Sequence, residues 1–119
     1  MKKMKNISYK NVWIAFVNMG PLPNHVFTEL IDMEVMDDSK YQAAWGNILI
    51  KSDLIDGVPN IVELGLLELG MEVIFIDSIQ NTDTLIEYKE LDLDVVEEIE
   101  SFIDSTFLFK ISDQIFPYF

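Results

Sequence analysis

Apolar residues along this chain come in short runs, and the runs alternate between two periods. Residues 10–19 (KNVWIAFVNM) are rich in Val, Ile, Trp and Phe and stop at Gly20-Pro21. That composition predicts a buried strand, with a helix as the alternative because so short a run does not reveal its own period. After Pro23, Asn24 is a good N-cap, and Val26, Phe27, Leu30, Ile31 and Met33 fall on one helical face with Asp32 and Glu34 outside it, so residues 24–36 read as an amphipathic helix. Asp37-Asp38-Ser39 interrupts it, and residues 40–45 add a further turn before Gly46.

Residues 47–52 (NILIKS) predict a second strand, and Asp56-Gly57 a turn. Pro59 suits a first helical position, where its missing N–H is an orphan in any case. Residues 59–69 (PNIVELGLLEL) are apolar nearly all round, broken only by Glu63 and Glu68. Such a helix is either sandwiched inside or presents a face to a partner. Gly70 is placed to end it. Residues 72–78 (EVIFIDS) predict a third strand and residues 106–112 (TFLFKIS) a fourth. Between them, residues 94–105 give the clearest helix, with Val95, Val96, Ile99, Phe102 and Ile103 on one face and Glu97, Glu98, Glu100 and Asp104 opposite. Asp92 or Asp94 would cap it and suit its dipole. Residues 85–91 (LIEYKEL) read towards extended structure, with a helix leading into the acidic one as the alternative.

Alternating elements of this kind imply an α/β fold: one layered domain over residues 1–119, with about four short strands in a sheet covered by about three helices. The continuous rather than alternating apolar runs fit parallel strands. Strand order cannot be read from the pattern.

Charge changes the picture. Eight cations, all lysine, stand against 21 acids, for a formal net charge of −13, and there is no cysteine. Residues 1–60 are almost neutral, so nearly all of the excess lies in residues 61–119. Nucleic acids and anionic membranes need cations to displace their counterions, so neither is an expected partner. The lack of cysteine excludes disulfides, thiolate metal sites and thiol catalysis. The lysines before residues 12–17 resemble a signal peptide, but the apolar run is six residues long and no small-residue cleavage pattern follows. No run approaches the ~20 apolar residues of a membrane-spanning helix. The expectation is a soluble cytoplasmic protein.

Candidate chemistry is thin. Ser52, Asp53, Asp77, Ser78, Ser112 and Asp113 fall at the expected strand ends. Ligands gather beyond the carboxyl ends of strands in an open α/β sheet, so paired carboxylates there could hold Mg²⁺ or transfer protons. Ser and Asp also end strands simply by making turns and caps. No Gly-rich phosphate loop, nucleophile elbow or calcium loop completes a site. His25 is the one histidine, at an expected helix start; it reads as structural, with a general base as the alternative. Trp13 and Trp45 read as core. The aromatic tail Ile115-Phe116-Pro117-Tyr118-Phe119 either docks into the core or forms a contact patch.

The acidic segment is the strongest signal. Nine acids between Asp83 and Asp104 face a single cation, Lys89. A solvated helix face would suffice for solubility, but concentrating like charge in one segment has a cost of its own. Such a face complements a basic partner and speeds association with it. The expected partner-binding residues are Asp92, Asp94, Glu97, Glu98, Glu100 and Asp104, with Asp77 and Asp113 further off.

In size, acidity, lack of cysteine and α/β pattern, the chain resembles the small cytoplasmic immunity proteins of bacterial toxin systems, including contact-dependent growth inhibition and related polymorphic toxins. The resemblance is one of type; the strings VIFIDSIQN and FKISDQIFPYF are distinctive but carry no motif of a named family. It implies a non-enzymatic inhibitor that binds one cognate toxin domain, expected to be basic and nuclease-like, with no cofactor and no catalytic or metal residues. The rivals are a small metal-assisted enzyme using strand-end carboxylates and a structural or adaptor subunit whose contact is the apolar helix 59–69.

Overall fold

The computed structural model describes residues 9–23 and 43–118. The expected helix over residues 24–36, His25 and the first three residues of the expected turn over 40–45 lie wholly or partly outside them.

Among the described residues, four strands form one sheet: β1 (Val12–Pro21), β2 (Ala43–Lys51), β3 (Met71–Asn81) and β4 (Phe109–Tyr118), in the order β3-β1-β2-β4. The same residues hold three α-helices: α1 (Val58–Glu68), α2 (Thr82–Glu87) and α3 (Leu93–Asp104). The α/β class, four strands and layered arrangement agree with the pattern of the sequence. The strand direction does not. Every pairing is antiparallel. Apolar runs report that a strand is covered on both faces, and here helices cover both faces of an antiparallel sheet, so burial gave no information on direction.

Alternation along the strands separates two cores. On one side, Ala15, Val17, Met19, Ala44, Ile48, Ile50 and Met71 pack with Val58, Val62 and Leu66 of α1. On the other, Val12, Ile14 and Leu49 pack with Leu85 of α2 and with Ile99 and Phe102 of α3. Each fully buried Val, Leu or Phe side chain contributes roughly 1.5–3 kcal/mol by removal from water. Gly65 lets α1 lie close to the sheet: a Cβ there would fall 2.5 Å from the Phe109 ring.

The helix ends follow from local chemistry. Gly70 has φ 82° and its N–H donates to Leu67 O at 3.0 Å, closing α1 as its glycine predicted. Residues 82–87 are helical, not extended. The Asn81 side chain accepts from Asp83 N, and the buried Thr82 hydroxyl lies 2.8 Å from Tyr9 O and 3.0 Å from Val12 O, fixing the first turn against the start of β1. That helix ends with Lys89 at φ 58°, Lys89 N–H donating to Ile86 O and Glu90 N–H to Leu85 O. This is the paired bonding of a glycine-type helix end carried by a lysine, which is why the sequence hid it.

Two further boundaries move. Residues 43–45 open β2 instead of continuing a helical turn. β4 begins at Phe109, three residues later than expected, and runs through the aromatic tail. There Ile115 packs with the α1-side core while Phe116 stays 54% exposed, so the tail both docks and presents a ring.

Candidate functional site

The strand-end acids fall at separate positions along the backbone of the sheet. Asp53 follows β2, Asp77 falls within β3 at a register shift opposite Phe16 and Val17, and Asp113 is a backbone position of β4 between the residues paired with Gly46 and Ile48. An antiparallel sheet sends successive carboxyl ends to opposite edges, so the rule that gathers ligands at one end of a parallel sheet does not operate. Among the described residues, no group of three or more His, Asp or Glu side chains lies close enough to hold a metal ion. Ser52 instead donates to Leu54 O at 2.7 Å and shapes the turn after β2. Ser112, 8% exposed, donates to Glu98 Oε1 at 3.0 Å.

The acidic residues are brought together, but they divide into two kinds. Glu87, Glu90, Asp92, Asp94, Glu97, Glu100 and Asp104 are exposed across α2, the turn after it and α3. Glu98 is half-buried and turned towards the sheet. Its other oxygen, Oε2, accepts from Lys110 Nζ at 2.6 Å. Glu98 therefore ties α3 to β4 rather than standing on the outer face where helical spacing placed it. Glu100 is exposed yet accepts the Tyr9 hydroxyl, which clamps α3 to the turn before β1. Burial of the phenol, then that hydrogen bond, then the charge of Glu100, push the Tyr9 pKa up to about 12.

The lysines of the sheet point inward to this layer. Lys51 is 6% exposed, donates to Ser105 O at 2.6 Å and lies 4.7 Å from the centre of the Phe102 ring. Its burial lowers its pKa below the usual lysine value. Lys110 is held by Glu98. Across residues 82–104 the exposed acids outnumber the single exposed cation, Lys89, so the outer surface of the α2–α3 layer is predominantly acidic.

Sequence reasoning missed two surfaces. The first is the part of the sheet beside α3 that no helix of the described residues covers. One residue from each strand, Phe75, Asn18, Trp45 and Phe116, lines up there in register. Trp45 stacks on Phe16 with ring centres 5.0 Å apart and meets Phe75 edge-on at 6.4 Å. The signal was present in the aromatic content of the strands, but its alignment depends on register. The second is a groove of about 630 Å³ between α1 and the start of β4, lined by Leu64, Leu69, Phe107, Leu108 and Phe109. Leu64 and Leu67 of α1 are more than half exposed, which answers the two options for this helix: one face is buried and another is open.

Comparison with protein-family models, with curated proteins and with solved structures finds no match. No helix among the described residues is long and apolar enough to cross a membrane.

Proposed function

We propose that this chain is a non-enzymatic, cytoplasmic binding protein: an immunity protein that neutralises a cognate basic, nuclease-like toxin domain by covering its active surface. The observation that supports this reading is the predominantly acidic outer surface of the α2–α3 layer, where Lys89 is the one exposed lysine of residues 82–104 and the neighbouring sheet lysines, Lys51 and Lys110, are turned towards the layer. A nuclease is basic where it holds its polyanionic substrate, so a folded acidic surface competes for the same cations. Attraction of this kind accelerates encounter more than it deepens affinity, and salt screens it.

The experiment is co-expression and kinetic binding with the variable C-terminal domain of a secreted protein encoded immediately upstream. Reversal of Glu90, Asp94 and Glu97 to lysine slows association about tenfold or more at low salt and flattens its salt dependence. Glu98 and Glu100 are left intact in that variant because they hold α3 in place. Unchanged association at low salt would end the electrostatic reading.

A second reading, a structural or adaptor subunit, is favoured by the open apolar groove between α1 and β4. It requires the purified chain to self-associate in sedimentation, and Leu64→Glu to abolish that association.

A further inference from the structure

Among the described residues, the α3 side of the sheet is covered along only part of its length. β1 is ten residues long, about 33 Å at the usual rise of a strand. α3 has twelve residues and spans about 18 Å. It packs over Val12, Ile14 and Leu49 and leaves the aromatic row beyond them open. Phe75 and Phe116 are 55% and 54% exposed at the two ends of that row. Asn18 sits inside it and accepts the Tyr118 hydroxyl at 2.8 Å. Between the row and α3 lies a crevice of about 190 Å³ with Asn47, Gln80, Glu90, Glu98 and Ser112 as its polar lining. The rings and the carboxylates thus share one side of the sheet and are separated by this crevice.

We infer that the row and crevice take an arginine-rich segment of the basic partner, guanidinium planes lying on the exposed rings and a cationic side chain entering the crevice towards Glu90. This rests on the reading above, that the partner is a basic protein. Guanidinium groups stack on aromatic faces and are drawn to the ring quadrupole, and they shed water more readily than ammonium groups. Aromatic rings ringed by polar groups are also where interface energy concentrates. Charge selects this occupant over two others. A second copy would bring a further −13 charges to an acidic surface. Residues 24–42 of the same chain carry five acids against Lys40 and would also bring like charge.

The test uses heptaarginine and heptalysine peptides, titrated calorimetrically into the full chain at about 0.1 M salt. Heptaarginine binds about fivefold tighter than heptalysine. The double variant Phe75→Ala/Phe116→Ala, titrated well below its own melting transition, removes that preference. Asp94→Asn/Glu97→Gln weakens both peptides equally and leaves the preference standing. Equal binding of the two peptides, or a preference that survives loss of both rings, overturns the inference. In either case, if binding still depends on Asp94 and Glu97, the electrostatic reading of the function survives. Binding that ignores Asp94 and Glu97 removes that reading instead. Acrylamide quenching separates the remaining occupant: a Phe27→Asp/Leu30→Asp variant with unchanged Trp45 quenching supports the inference. Newly exposed Trp45 would show that residues 24–42 cover the row, and overturns it.

Discussion

The two sides of the sheet are held by different physics. On the α1 side, Val58, Val62 and Leu66 are wholly buried against apolar strand residues, and the helix meets the sheet chiefly through burial and shape, with Trp13 Nε1 donating to Ser52 O at 2.9 Å beside that core. On the α3 side, a smaller apolar core is supplemented by directed contacts: Lys51 on Ser105 O, Glu98 between Lys110 and Ser112, and Tyr9 on Glu100. An apolar contact is indifferent to salt and pH, whereas the directed ones respond to both. The side that carries the acidic surface is therefore also the side whose position is set by charge. A helix with like-charged residues on its outer face gains from being pinned from beneath by cations, which offset part of that repulsion.

The largest expected effects are deletions in the two cores. Leu66→Ala costs about 2–5 kcal/mol and Phe102→Ala about 3–5 kcal/mol in denaturant unfolding. The loss from Leu66→Ala is the same at low and high salt. The loss from Phe102→Ala varies with salt, because the ring also faces the Lys51 ammonium. Equal salt behaviour of the two would break the contrast between the sides.

Next in size is Glu98→Ala, which removes the carboxylate that accepts from both Lys110 Nζ and the nearly buried Ser112 hydroxyl. About 1–3 kcal/mol is expected. Amide exchange should accelerate in α3 and β4 while α1 keeps its protection. Uniform acceleration across α1 would mean that the sides open as one unit.

A pH titration sharpens the contrast further. The raised pKa of Tyr9 means that the folded chain holds this proton more tightly than the unfolded one. The stability it contributes is complete below the usual tyrosine value near 10.0 and is lost as pH rises through about 12. Lys51 has the opposite sign. Its lowered pKa is a penalty that is relieved as pH rises towards 10.5. Tyr9→Phe should remove the loss above pH 10 and leave the gain. Absorbance at 295 nm should show a tyrosine ionisation near pH 12 that Tyr9→Phe removes. The smallest effect is Lys89→Gly, which relieves the left-handed backbone after α2 and should stabilise by about 1 kcal/mol in thermal unfolding.

How much of this was legible depends on the range of the interaction concerned. α1, β3 and α3 were readable because composition, Pro59, Gly70 and the helical spacing of Val95, Ile99 and Phe102 are local. α2 was misread because its evidence is distant. The Thr82 hydroxyl meets backbone carbonyls of Tyr9 and Val12, and its helix end uses a lysine where glycine is the usual mark. The acidic segment was located correctly as a segment, yet spacing on an isolated helix could not reveal that Glu98 turns to Lys110 and Ser112.

The sequence by itself determined the types of α1, α3 and the four strands, the density of acid in residues 83–104 and the lack of thiol chemistry, since these depend only on residue identity and near neighbours. The tertiary structure decided the direction of the strands, the division of the acids into outward and pinned sets, and the alignment of Phe75, Asn18, Trp45 and Phe116. Each of these depends on register, and in a sheet a shift of one residue moves a side chain to the other face.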